Sequence, residues 1–273
     1  MTQEAKTELR AFPKYFFLWT FLWSWAFWAI PLMTTRGWLD NPTLKGLRGP
    51  LLVIGAYGPF VAAFALSHRE KSAWALFKRV FRWRIPPLVL LSALFLSPVL
   101  AGAAMWIQAM LGGPAFAFRI SWPHVPGLIL LLFFLGGSFN EEFGWAFAID
   151  RIQPRWGFLK GSLLLGVVWA FWHLPLFFMP TQSQSHMPFW TFLITCCSLR
   201  LLYVWAYNES RQSILVSLLF HTSVNFTLNL FAILDTKVSA IKQPVWMGYV
   251  AALAIAAAAI VVLHVFRRER HRR

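Results

Sequence analysis

Apolar stretches about as long as a bilayer is thick recur along the whole of this chain, and they limit what it can fold into more than any other feature. Eight such segments are legible, at about residues 15–35, 50–67, 86–108, 126–148, 160–180, 188–208, 212–232 and 246–266. In hydrocarbon every backbone N–H and C=O must find a partner inside the protein, and continuous apolar runs of this length meet that demand as helices. The expected fold is therefore all-α, a polytopic membrane protein built as a bundle of about eight transmembrane helices. No internal repeat or low-complexity linker divides the runs, so residues 1–273 read as a single integral-membrane domain. The first run, "YFFLWTFLWSWAFWAIPLM", follows a charged leader but has no small-residue cleavage site, and is read as a retained first helix rather than a removable signal.

Charge orients the bundle. The chain has 25 Lys and Arg against ten Asp and Glu, a net charge of +15. With both termini on one side, about eighteen of the basic residues fall on that side and about six on the other, with Arg200 left inside a span. Lysine and arginine favour the cytoplasmic side, so both termini are expected in the cytoplasm, the host membrane being of the bacterial cell-membrane type. The basic stretches "HREKSAWALFKRVFRWR" and "FRRERHRR" then face anionic lipid headgroups, which accounts for the charge without a nucleic-acid partner. In the first stretch Trp74, Phe77 and Phe81 recur at helical spacing among Lys78, Arg79, Arg82 and Arg84, a pattern that suits either a helix lying in the interface or an ordinary basic loop. The two cysteines, Cys196 and Cys197, are adjacent inside the sixth segment and read as small packing residues rather than as a disulfide or metal framework.

Two of the ten acids stand side by side at membrane depth. "GGSFNEEFGWAFAIDR" places Glu141 and Glu142 directly after "VPGLILLLFFL", where a carboxylate costs kilocalories and demands a reason. The remaining polar groups within the apolar segments are few. "WAFWHLPLFF" carries His173 with Trp169 one turn before it, and "SLLFHTSVNF" carries His221 and Asn225, four residues apart and so on one helical face. Such a set allows hydrolysis. A carboxylate and an imidazole can deprotonate a water, while an imidazole N–H and a carboxamide NH₂ can donate to the oxyanion formed when a peptide carbonyl is attacked. A buried polar knot that only locks helices together, and a proton or solute relay in a transporter, use the same residue types.

In order, Glu-Glu-Phe-Gly-Trp at 141–145, Trp-x-x-x-His at 169–173, the Tyr-Asn pair at 207–208 and His-x-x-x-Asn at 221–225 resemble the CAAX protease and bacteriocin-processing family of intramembrane glutamic endopeptidases. The likeness covers roughly residues 138 to 229, within a family-like core at about 126–232. It implies an eight-helix topology, in agreement with the layout above, and a site facing the cytoplasm. It also implies that Glu141 and His173 activate the attacking water, that His221 and Asn225 form the oxyanion pocket, that Glu142 is a supporting glutamate, and that the substrate is a membrane-associated protein or peptide. Glu141, His173 and His221 would be the ligands if a divalent metal such as zinc were used. No His-Glu-x-x-His spacing is present, and the favoured reading is a metal-free glutamic mechanism.

One position departs from the family motif Glu-Glu-x-x-x-Arg-Gly: Ala146 and Phe147 stand where Arg and Gly are expected. An Arg there would lie one turn after Glu142 and pair with it. Either another cation takes its place, Arg200 in "CCSLRLLYVW" being the notable one, or the protein binds without cutting. Arg151 and Arg155 are expected at the inner membrane edge.

Overall fold

The computed structural model describes residues 12–113, 116–235 and 239–270; the charged leader before residue 12 and the last three residues of the basic tail lie outside it. The segments fold as helices: α1 Lys14–Thr35, α2 Arg48–Ala56, α3 Gly58–Arg69, α4 Pro87–Met110, α5 Val125–Phe134, α6 Ser138–Trp172, α7 Phe189–Glu209, α8 Ile214–Leu230 and α9 Pro244–Arg270. Short helices at Pro42–Gly46 and Ala73–Phe77 lie between them. No strand is present among the described residues, and the protein is an all-α, multi-pass integral membrane protein. By length and hydropathy five helical runs can each cross a membrane, six when α2 and α3, bent by 41° at Tyr57, are taken as one. The expected count of eight is not reproduced on that measure, because α8 has 17 residues and the fourth and fifth segments form one run.

That run contains the two breaks that matter for the site. Gly157 adopts φ 74° and ψ 177°, a conformation open essentially only to glycine, and α6 folds back on itself there. A straight helix would hold Glu141 and Trp169 about 42 Å apart at its 1.5 Å rise per residue. Their side chains instead meet at 2.6 Å. The second break falls at Leu135–Gly137, where Gly137 has φ 117° and ψ −36° and separates α5 from the first arm of α6. A helix interior so interrupted is tolerated at membrane depth only where protein or a cavity lies against it. Close packing holds the arms in place. A Cβ on Gly166 of the second arm would sit 2.6 Å from Cys197 Cα, and one on Gly144 of the first arm 2.5 Å from the Pro59 carbonyl oxygen. Both glycines let backbones approach as small residues do between membrane helices. The cysteines are free, and Cys197 serves this packing.

The bundle has two distinct ends. At one, Arg79 pairs with Asp150 and lies 2.5 Å from Tyr207 Oη, Arg151 pairs with Glu70, and Ser213 Oγ donates to the Arg82 carbonyl at 2.6 Å. Phe12 stacks on Trp156 at this end, and Asn208 Nδ2 donates to Gln153 Oε1 at 2.9 Å. The Tyr-Asn pair thus ties α7 to the fold-back of α6, away from the polar residues at membrane depth. At the other end Arg36 Nε donates to the Phe178 carbonyl at 2.7 Å, the Arg119 amide to the Leu230 carbonyl at 2.8 Å, and Gln243 Nε2 to the His186 carbonyl at 3.2 Å. Most of the basic residues, including those of 69–84, Arg155 and Arg211, belong to the first end. There Ala73–Phe77 continues into a 3₁₀ turn at Lys78–Phe81, with Trp74 and Phe81 exposed and Phe77 stacked on Phe143. The basic stretch is thus helical over these residues.

Candidate active site

Glu141 lies in the first turn of the first arm of α6, His173 directly after the second arm, and His221 and Asn225 on α8. The fold-back at Gly157 is what brings the first two together. Glu141, Glu142, His173 and His221 are buried, and Glu141, His173, His221 and Asn225 all line one cavity of about 470 Å³. A second cavity of about 210 Å³ shares Gly136, Glu141, His173 and Gln184 with the first.

The carboxylate of Glu141 is held by one oxygen and free at the other. Trp145 Nε1–H and Trp169 Nε1–H both donate to Oε2, at 3.0 and 2.6 Å. Oε1 points at the break before the helix: a Cβ on Gly137 would lie 2.9 Å from it, 3.0 Å from His221 Nε2 and 3.2 Å from Asn225 Nδ2. Three polar atoms from two helices therefore gather beside Gly137, and any side chain at 137 would collide with them. Gly137 and Trp145 were given no role by the sequence reading. Trp145 stood inside the quoted motif, and its spacing of four from Glu141 was the available signal.

Each of the other groups is oriented by a bond on its far side. Asn225 donates one amide hydrogen to the Gly136 carbonyl at 2.6 Å, leaving the second for the point beside Gly137. His173 Nδ1–H donates to the Trp169 carbonyl at 2.9 Å, a contact that leaves Nε2 with a free lone pair. His221 Nδ1–H donates to Glu142 Oε1 at 2.8 Å.

Glu142 is also paired with a cation, which comes from another helix than the motif would supply it. Arg200 of α7 donates through Nη2 to Oε1 at 2.8 Å and through Nη1 to Oε2 at 2.9 Å, a bidentate pair in which both side chains are fully buried. Its guanidinium lies 3.9 Å from the centre of the Trp169 ring, a cation–π contact that further offsets burial of the charge. Ala146 faces the same small space as Arg200 and Glu142. Arg151, by contrast, pairs with Glu70 and covers the Phe147 ring at 3.4 Å, and it takes no part in the site.

Among the described residues no three His, Cys, Asp or Glu side chains are arranged to hold a metal ion.

Residues 122–227 match the family model described as Rce1-like, type II CAAX prenyl endopeptidase. The chain is also 28% identical over 245 residues to CAAX prenyl protease 2 of Methanococcus maripaludis, an alignment covering 83% of this chain and 88% of the relative. The resemblance read from the motifs is thereby borne out at the level of the family.

Proposed function

We propose that this protein is an intramembrane endopeptidase that hydrolyses peptide bonds of membrane-associated proteins or peptides. The convergence of Glu141 Oε1, His221 Nε2 and Asn225 Nδ2 on the space beside Gly137 carries the proposal. It gathers a base and two donor groups beside Gly137 on the wall of the cavity, on the side that a substrate carbonyl and a water would meet. Kinship with the Rce1-like endopeptidases supports the reaction class.

Glu141 Oε1 takes a proton from water, aided by His173, which lines the same cavity. The water oxygen bonds to the substrate carbonyl carbon, and the carbonyl oxygen becomes the oxyanion. Both oxygens sit on that one carbon, spanning the gap from Glu141 to His221 and Asn225. The C–N bond then breaks, and the proton held by Glu141 and His173 passes to the leaving nitrogen, giving a carboxyl and an amine product. Asn225 donates its second amide hydrogen to the oxyanion. For His221 to donate from Nε2 it must carry both ring protons, since Nδ1–H is committed to Glu142. Arg200 thus fills the task of the missing motif Arg, and the feature that favoured a protein that binds without cutting loses its weight.

The test is cleavage by purified protein in liposomes, read by mass spectrometry across a broad set of membrane-associated peptides. The wild type is expected to cut and Glu141→Gln to be inactive while keeping its fold. Equal cleavage by the two would remove the mechanism, and no cleavage by either would return the binding-only reading.

A further inference from the structure

We infer that the fold-back of α6 carries a binding site for the phosphate group of an anionic phospholipid, held in a cleft between that fold-back and α9. The cleft lies at the far end of the arm from Glu141, and the inference stands apart from the peptidase reading. Its volume is about 640 Å³, within the range of ligand sites, and it is lined by residues 155–160 on one side and by Val261, His264 and Val265 on the other. Arg155 and Lys160 bring two positive charges to it, and both side chains are exposed. Neither makes an ion pair or hydrogen bond with a described residue, whereas Arg79 and Arg151 at the same end are committed to Asp150 and Glu70. Among the described residues no acid lines the cleft. Gly157 stands between the two cations, and nothing lies within 4 Å of where its Cβ would be, so an anion can come close to the backbone there.

The opposite wall selects a lipid over a soluble anion. Val261 and Val265 lie one turn apart on α9, a helix long and apolar enough to cross the membrane, so this wall continues into surface that faces acyl chains. His264 joins it to the fold-back, its ring 4.6 Å from that of Phe158 between centroids. Trp156 and Leu159 are 40% and 42% exposed, and a tryptophan half-exposed beside cations belongs at headgroup level. A phosphodiester at Arg155 and Lys160 with an acyl chain along Val261 and Val265 satisfies both walls, whereas a free phosphate uses only one. Basic pockets between membrane helices bind anionic headgroups in this way. The lipid comes from whichever leaflet that end of the bundle meets.

Lipid titration of the purified full chain decides the matter. In a neutral detergent, where no anionic surface attracts lipid generally, dioleoylphosphatidylglycerol or dioleoylphosphatidylcholine is added, bound lipid is counted by native mass spectrometry, and thermal unfolding is followed in parallel. The unmodified chain is expected to retain phosphatidylglycerol in preference to phosphatidylcholine and to unfold at a higher temperature with it. Arg155→Gln combined with Lys160→Gln should weaken that binding about tenfold or more and remove the thermal shift. Lys71→Gln combined with Arg84→Gln removes the same charge at the same end but outside the cleft, and should leave both intact. Val265→Trp narrows the apolar wall without changing charge, and should also weaken binding. Equal retention of the two lipids by the unmodified chain, or equal loss from the two charge-removing pairs, would overturn the site. Inorganic phosphate that raised the unfolding temperature as far as phosphatidylglycerol, with Val265→Trp without effect, would overturn the lipid in favour of a free anion.

Discussion

At the scale of single residues, the chain shows how a motif can lose a member and keep its charge. Arg200 was legible as an expensive cation inside a span, and Glu142 as an acid lacking its motif partner, but the rotation of α7 that joins them was not. Rotation is set by packing, here by Gly166 against Cys197, and not by periodicity in a helix that is apolar on every side. Arg200→Ala is expected to destabilise the protein by about 3–5 kcal/mol, because it strands a buried carboxylate. Arg200→Met combined with Glu142→Gln should lose less than the two single changes added together, a coupling that a double-mutant cycle in mild detergent can read. Additive losses would mean that the pair does not matter to stability. The crowding around Ala146 sharpens the test. Ala146→Arg alone places a second cation in a space of about 10 Å³ and should be harmful. In an Arg200→Ala background the same change refills the vacated volume and restores the pair, so it should recover stability and cleavage. If Ala146→Arg is no better tolerated there, the exchange of positions is refuted. Within the proposed site, His221→Ala and Asn225→Ala should each lower the cleavage rate by about a hundredfold or more.

At the scale of elements, the all-α reading holds, the count of eight is not reproduced, and the break at Leu135–Gly137 was not legible. The fourth segment read as one helix, yet it is α5 and an arm of α6 with Leu135–Gly137 between them. Gly136 and Gly137 were visible as a pair, but a glycine pair inside an apolar run does not announce whether it serves close packing or a break. The fold-back that unites Glu141 with Trp169 was legible as the gap between the segments ending at about 148 and beginning at about 160, but Gly157 as the residue that makes it was not. Its conformation supplies the test. Any side chain at φ 74° and ψ 177° carries strain of about 1–3 kcal/mol, so Gly157→Ala should lower stability by that amount although nothing lies within 4 Å of the new methyl. Because relief of the strain shifts one arm against the other, the Trp169–Glu141 bond should lengthen and cleavage should fall more than the loss of folded protein explains. A variant with unchanged thermal stability would show that the fold-back is set elsewhere. Gly137→Ala makes the complementary case, since the methyl would occupy the space among Glu141, His221 and Asn225.

At the scale of the whole molecule, the charge asymmetry and the cavity answer different questions, and the sequence held only the first. Counting lysines and arginines orients the bundle without any knowledge of packing. What lies over a buried site depends on how the connecting loops pack, which charge counting does not reveal. Residues 69–84 and 209–213 are joined at one end by named bonds, as Arg82 shows by donating to the Arg211 carbonyl at 2.6 Å. Ser183, Gln184, His186 and Met187 line the cavity from the other. Reporter fusions test the frame on which this contrast depends. Alkaline phosphatase folds only outside the cytoplasm and green fluorescent protein only within it, so fusions ending in residues 69–84 and in the basic tail should fluoresce without phosphatase activity. Fusions ending at 112–124 and 180–188 should do the opposite. Moving charge should move the molecule: replacing Lys71, Lys78 and Arg84 together by glutamine removes about 1 kcal/mol of attraction to the anionic inner leaflet per residue. These positions avoid Arg79, whose pair with Asp150 closes the bundle. A mixed population of orientations in the fusions is expected from that variant, with the closed-end packing intact. An external tail in the unmodified chain would invert the frame.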